Sequence, residues 1–166
     1  MPTENEIEIV NNTSRHSKAL TQNAITPKYI LEQFDPSISI LDYGAGKKAV
    51  HTLSLREKGL NVTAYDIGQN TSNVHTTKAL DKTYDLVFAS NVINVQFSFN
   101  MLEYTLNQMF KASKQYILFN YPLSPRKGAM KNVKSKQLID FIANKFDCTP
   151  AQVSGTNSAP LLQIVK

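Results

Sequence analysis

The chain has 166 residues, 42% of them hydrophobic, with a net charge of +5 and one cysteine, Cys148. That length suits one domain with a proper core, and a single cysteine excludes an internal disulfide or a cysteine-based metal cluster. No apolar run approaches the ~20 residues of a membrane span, and the acidic start MPTENEIEIV lacks the basic-then-apolar layout of a signal peptide, so a soluble cytoplasmic protein with no membrane partner is expected.

Residues 1–13 read as a weakly ordered tail and 14–23 as a polar short helix or lid. The expected organisation is therefore a mobile N-terminal segment, 1–23, ahead of one domain, 24–166. Thr26-Pro27 is a helix start, with Thr26 as cap and Pro27 in the first turn. That helix runs to about Phe34, where Pro36 and Ser37 break it. A strand over 38–43, a helix over 47–58 closed by Gly59, and a strand over 61–66 follow. The short, polar stretch 68–82 must hold any third strand, near 73–76. YDLVFAS, 84–90, is the fourth strand. Phe99, Leu102, Leu106, Met109 and Phe110 recur at helical spacing and predict a helix over 99–112. A strand over 115–121, a Pro-rich basic loop over 122–132, a helix marked by Leu138, Ile139, Ile142 and Phe146, and a terminal hairpin near 151–154 and 161–165 complete the chain. This alternation predicts an α/β fold: a doubly wound, seven-stranded, mostly parallel sheet in the order 3-2-1-4-5-7-6, with its last strand antiparallel.

Chemistry concentrates between residues 38 and 66, where a strand, a glycine turn, a helix, a second strand and an acid succeed one another. Gly44 and Gly46 offer close backbone approach and access to positive φ. The first-turn donors of the next helix would face a ligand there. Asp66, 20 residues past Gly46, can accept both hydrogen bonds of a ribose diol. The spacing Gly44-x-Gly46-x-x-Ala49 also loosely satisfies the dinucleotide fingerprint, so an NAD-binding oxidoreductase stays open. Lys47 and Lys48 at the helix start favour phosphate. Asp42 favours a cationic ligand such as S-adenosylmethionine (SAM), since a carboxylate there repels pyrophosphate.

ILDYGAG, residues 40–46, resembles motif I of the class I SAM-dependent methyltransferases, and Asp66 matches the acid those enzymes carry after strand two. YDLVFASNVINV, 84–95, is similar to their strand four and substrate-side loop. DYGAG and NVINV, with SRHSKAL upstream, also resemble the small methyltransferases associated with bacterial DNA phosphorothioation systems. The resemblance implies a Rossmann-like methyltransferase fold and SAM as cofactor, held by Asp42, Gly44, Ala45, Gly46, Asp66, Ile67, Ser90 and Asn91. Three departures stand out. Lys48 replaces the third glycine of motif I, the strand-three region is abbreviated, and Ser90-Asn91-Val92-Ile93 stands where DNA amino-methyltransferases carry a Pro-Pro tetrapeptide. Asn120-Tyr121-Pro122-Leu123 resembles that tetrapeptide but ends the fifth strand, which makes it a decoy.

On the acceptor side, Asn91 and His16 are the catalytic candidates, and no dedicated base is evident. Two acid-free stretches, 9–31 and 104–139, carry Arg15, Lys18 and Lys28, and Arg126, Lys127, Lys131, Lys134 and Lys136 among others. Arg15, Arg126, Lys127 and Lys131 are the expected substrate contacts, with nucleic acid favoured as the methyl acceptor. A small-molecule acceptor and a non-catalytic SAM-binding module are the alternatives. Composition and motif are silent on oligomeric state.

Overall fold

The computed structural model describes residues 1–15 and 24–166. Four strands form the parallel part of one sheet: β1 (Ser39–Tyr43), β2 (Asn61–Tyr65), β3 (Tyr84–Ala89) and β4 (Ser113–Asn120). A hairpin of β5 (Ala151–Thr156) and β6 (Ala159–Val165) extends the sheet antiparallel beyond β4, in the order β2-β1-β3-β4-β6-β5. Strand residues point alternately to the two faces. Ile40, Val62, Leu86, Phe88 and Leu118 pack beneath Ile30 of α2 (Ile25–Gln33) and Leu55 of α3 (Val50–Glu57). Leu41, Val87, Ala89, Ile117 and Phe119 pack against Leu102, Leu106 and Met109 of α4 (Phe99–Ala112), and Leu138 and Ile142 of α5 (Ser135–Phe146). A parallel sheet buried on both faces is what continuous apolar strands require.

The sheet has six strands rather than the seven expected. The third position is reduced to one parallel bridge, Ala64 to His75, with the Thr76 N–H donating to the Ala64 carbonyl at 3.0 Å. Only Val74 in this stretch is apolar, and it packs on the small cluster Ala45, Ala49 and Ala64. The Ser72 N–H donates to His75 Nδ1 at 3.0 Å, which turns the chain instead of extending it. What is left of the predicted order is 2-1-4-5-7-6, as observed.

Three further corrections concern helices. Helix α3 starts at Val50 rather than 47, because Ala49 sits at φ 45°. Ala24, not Thr26, caps α2, and Thr26 is buried within the first turn. The segment read as a weakly ordered tail holds a helix, α1 (Glu4–Arg15). A capping box starts it: the Thr3 N–H donates to Glu6 Oε2 at 2.8 Å and the Glu6 N–H to Thr3 Oγ1 at 3.2 Å. Among the described residues no helix is long and apolar enough to cross a membrane.

Candidate functional site

Strand order reverses beside β1: β2 lies on one side and β3 on the other. The crevice at the carboxyl ends of strands next to such a switch is where open α/β sheets bind ligands. The two motif glycines stand at its rim with different surroundings. Both have positive φ, 78° for Gly44 and 72° for Gly46. A Cβ built on Gly44 would lie 2.5 Å from Val92 Cγ2, so Gly44 exists to let the β1 and β3 ends close together. A Cβ on Gly46 would meet nothing within 4 Å among the described residues. Ala49, fully buried, takes the third small position of the fingerprint by packing against Ala64 of β2.

The turn's amides face inward. The Gly44 and Ala45 N–H groups both donate to the Tyr65 carbonyl at 2.9 Å. The Gly46 N–H donates to Asp66 Oδ2 at 2.7 Å. Asp66 Oδ2 also accepts from Asn70 Nδ2 at 3.0 Å, and Oδ1 from the Ile67 N–H at 2.7 Å. A carboxylate offers about four lone-pair positions, so one remains, on Oδ1. A ribose diol donating twice would displace one of the three present donors. Burial pushes the Asp66 carboxyl up to about 6 against these hydrogen bonds. Asp42 lies beneath the turn, 1% exposed, accepting from Thr52 Oγ1 of α3 at 2.7 Å. Burial pushes Asp42 up to about 7 against the Thr52 hydrogen bond, and the like charge of Asp66 adds to the rise. Two carboxyls thus lie close together at the strand ends, each raised by burial and Asp42 further by the charge of Asp66.

Across the crevice, Asn91 follows β3 at φ 58°, a left-handed conformation that asparagine tolerates better than most residues. Its N–H donates to Asn120 Oδ1 at 2.7 Å, and Asn120 Nδ2 returns a bond to Asn91 Oδ1 at 2.9 Å. The tetrapeptide beginning at Asn120 ends β4 as expected, yet its first residue reaches the site through this reciprocal carboxamide pair. Removing both bonds from a strained, partly buried backbone should cost about 1–3 kcal/mol. Asn120→Ala is expected to lower the denaturation midpoint accordingly, and Asn120→Asp, which can still accept from the Asn91 N–H, to lower it less. Ser90 sits beside Asn91 with its Oγ buried and without a hydrogen-bond partner among the described residues.

The basic loop departs from expectation at Arg126. Its guanidinium donates to the carbonyls of Pro122 at 2.9 Å, Val133 at 2.8 Å and Tyr121 at 3.4 Å, and stacks 4.0 Å over the Tyr121 ring. Arg126 therefore braces the loop and is not a free substrate contact. Lys127 and Lys131 of the same loop are exposed. Arg15 ends α1; His16 lies outside the described residues.

Helix α1 supplies what the sequence reasoning missed. A Cβ on Gly68 would come within 2.6 Å of both Ile7 Cγ2 and Asn11 Nδ2. Ser98 Oγ, which caps α4 by accepting from the Met101 N–H, donates to Glu6 at 2.9 Å. Helix α1 thus covers the loop just beyond Asp66, leaving a 490 Å³ cleft lined by Glu4, Ile7, Glu8, Asn11, Asn12, Gly68 and Gln69. Thr3-x-x-Glu6 was the available signal, a capping box ahead of Ile7 and Ile9.

No protein-family model matches the chain, and no curated protein matches it. Solved structures do. Magnesium protoporphyrin IX methyltransferase from Synechocystis PCC 6803, with bound SAM, superposes with a TM-score of 0.61 at 11% identity, over 100% of this chain and 86% of that one. A SAM-dependent methyltransferase from Bacteroides fragilis in complex with S-adenosyl-L-homocysteine gives 0.58 at 14% identity, over 99% and 96%. One from Aquifex aeolicus gives 0.55 at 15% identity, over 99% and 98%. The chain has the fold of SAM-dependent methyltransferases, in a six-stranded form.

Proposed function

We propose that this protein is a SAM-dependent methyltransferase acting on a nitrogen or oxygen acceptor. The observation that carries the reading is the turn at 44–46: its three amides are committed to Tyr65 and Asp66, while among the described residues nothing lies within 4 Å of where a Gly46 side chain would start. A pyrophosphate needs free N–H donors and would meet the carboxyls of Asp42 and Asp66. A sulfonium nucleoside needs a bare backbone, a ribose acceptor and nearby negative charge, and the residues fit that group. Gly46 would admit the cofactor's edge, Asp66 Oδ1 would accept from ribose, and Asp42 beneath the turn would favour its cationic charge. Asn91, oriented by Asn120, would face the acceptor. When bound, SAM supplies an electrophilic methyl group, and the chain's part is alignment and exclusion of water.

The small-molecule methyltransferases among the structural neighbours favour a second reading of the acceptor, one of them acting on magnesium protoporphyrin IX. Lys127 and Lys131 on the loop after β4 favour nucleic acid, and that class is preferred here. Calorimetry should show SAM or its demethylated product binding more tightly than NAD, and Asp66→Ala should weaken SAM by about 1–3 kcal/mol. Stronger NAD binding would transfer the site to an oxidoreductase. Labelled SAM incubated with nucleic-acid, protein and metabolite fractions then identifies the acceptor class. Label in no fraction, despite tight SAM binding, would leave a non-catalytic binding module.

A further inference from the structure

The loops that follow β3 and β4 are zipped into one unit. The Lys127 N–H donates to the Asn94 carbonyl at 3.0 Å, and the Ala129 N–H to those of Gln96 and Phe97 at 3.1 and 3.0 Å. Asn94 Nδ2 returns a bond to the Pro125 carbonyl at 2.7 Å. Gly128, at φ 57°, lets the backbones touch: a Cβ there would lie 2.6 Å from the Gln96 oxygen and the Phe97 Cα. Arg126 braces the second loop from within.

This rigid unit displays an unusual mixture. Phe97 and Phe99 are 41% and 55% exposed and Leu123 61%, while among the described residues every other phenylalanine is buried or half-buried. Exposed single apolar residues are ordinary, but grouped ones mark interaction surfaces. On the second loop and at the start of α5, Lys127, Lys131 and Lys134 are exposed, and among the described residues none makes an ion pair, whereas Lys136 pairs with Asp140 at 3.3 Å. Cations alone would suit any polyanion. Cations interleaved with solvent-facing aromatic rings suit a polyanion whose bases are free to stack, which a duplex does not offer.

We propose that this fused unit is a platform for single-stranded nucleic acid, with Phe97 and Phe99 stacking bases and Lys127, Lys131 and Lys134 neutralising phosphates, at the carboxyl-end rim where the methyl acceptor would enter. The inference rests on the methyltransferase reading only in calling the strand an acceptor; binding is independent of it.

Fluorescence anisotropy with a labelled mixed-sequence oligonucleotide, single-stranded and as duplex, tests it, with SAM calorimetry on the same samples. The single strand is expected to bind more tightly. Phe97→Ala and Phe99→Ala should each weaken it by about tenfold or more, Phe97→Tyr should retain it, and SAM affinity should not move. Lys127→Ala with Lys131→Ala should reduce the salt slope by about 1.4, at roughly 0.7 per phosphate on single strands. Equal affinity for duplex and single strand with no response to the phenylalanines would overturn the inference. So would retention on phosphatidylcholine–phosphatidylserine vesicles without oligonucleotide binding, or no retention on either. In each of those cases normal SAM affinity leaves the methyltransferase reading standing. Loss of SAM binding in the parent protein defeats that reading whatever the oligonucleotides do.

Discussion

At about pH 8, Asp42→Asn is expected to melt at a higher temperature than the parent protein, and near pH 4 the two should melt together. The cause is where Asp42 sits. It is buried beneath the glycine turn, and its carboxyl is pushed up to about 7 by that burial, with the Thr52 hydrogen bond opposing and Asp66 reinforcing the rise. The folded state therefore holds the Asp42 proton more tightly than the unfolded chain does. Below the unfolded value of 3.8 both states are protonated and the group is neutral to stability. As pH climbs from there to about 7 the unfolded chain ionises first, and stability is lost through that window. A rise of about three pH units corresponds to a cost of up to about 4 kcal/mol at higher pH. Asparagine keeps an oxygen for Thr52 and removes the ionisation. The same substitution should weaken SAM, because the charge that destabilises the free protein is the one a cationic ligand would stabilise. SAM should accordingly raise the melting temperature of the parent more at about pH 8 than at about pH 5, and of Asp42→Asn by similar amounts at both. Identical melting of parent and variant at the higher pH would remove Asp42 from this role.

β1 and β3 were legible because they are mostly buried apolar runs, and α4 was legible because Leu102, Leu106 and Met109 recur at helical spacing between Ser98 and Ser113. The third strand was legible only as a doubt: 73–76 has one apolar side chain to bury, and a lone Val74 stabilises a bridge but not a strand. Helix α1 was missed for a different reason. Its acidic, polar composition suggests a solvated tail, and its order comes from tertiary partners, Gly68 and Ser98, that lie far along the chain. Within the candidate site, DYGAG and Asp66 marked the glycine turn and the acid that its amide meets. The direction of the turn's amides was not legible, since each depends on β2 offering the Tyr65 carbonyl and the Asp66 carboxylate at the right height. Asn120 was dismissed for ending the wrong strand, yet adjacent parallel strands end side by side, so a residue 29 positions from Asn91 becomes its hydrogen-bond partner. Arg126 shows the converse. A basic residue in a basic loop was assigned to substrate, and the loop's own carbonyls hold it.

Substituting the two motif glycines should separate folding from binding. Their φ angles, 78° and 72°, are nearly equal, so an alanine at either pays a similar left-handed strain of about 1–2 kcal/mol, and that term cancels in a comparison. What differs is the space. At Gly44 the new Cβ meets Val92 Cγ2 at 2.5 Å, and a β-branched side chain in a packed strand end has little freedom to withdraw. Gly44→Ala should therefore be the less stable of the pair by a further ~1–3 kcal/mol, and Val92→Ala in the same chain should restore part of that difference. At Gly46 the Cβ meets nothing within 4 Å among the described residues, so Gly46→Ala should lose the strain alone. The open volume is the one the cofactor would fill. Gly46→Val should remain folded by circular dichroism yet lose SAM affinity by about 100-fold or more, equivalent to at least ~2.7 kcal/mol, since its methyl groups occupy the cradle. Calorimetry on Gly46→Ala, Gly46→Val and the Gly44→Ala/Val92→Ala double variant checks the order: the double variant should bind SAM better than Gly46→Val although it carries more substitutions. A Gly46→Val protein that is folded and binds SAM like the parent would place the cofactor elsewhere on the sheet. A Gly44→Ala protein as stable as Gly46→Ala would mean that Val92 yields freely and that the β1 and β3 ends are not held together at that point.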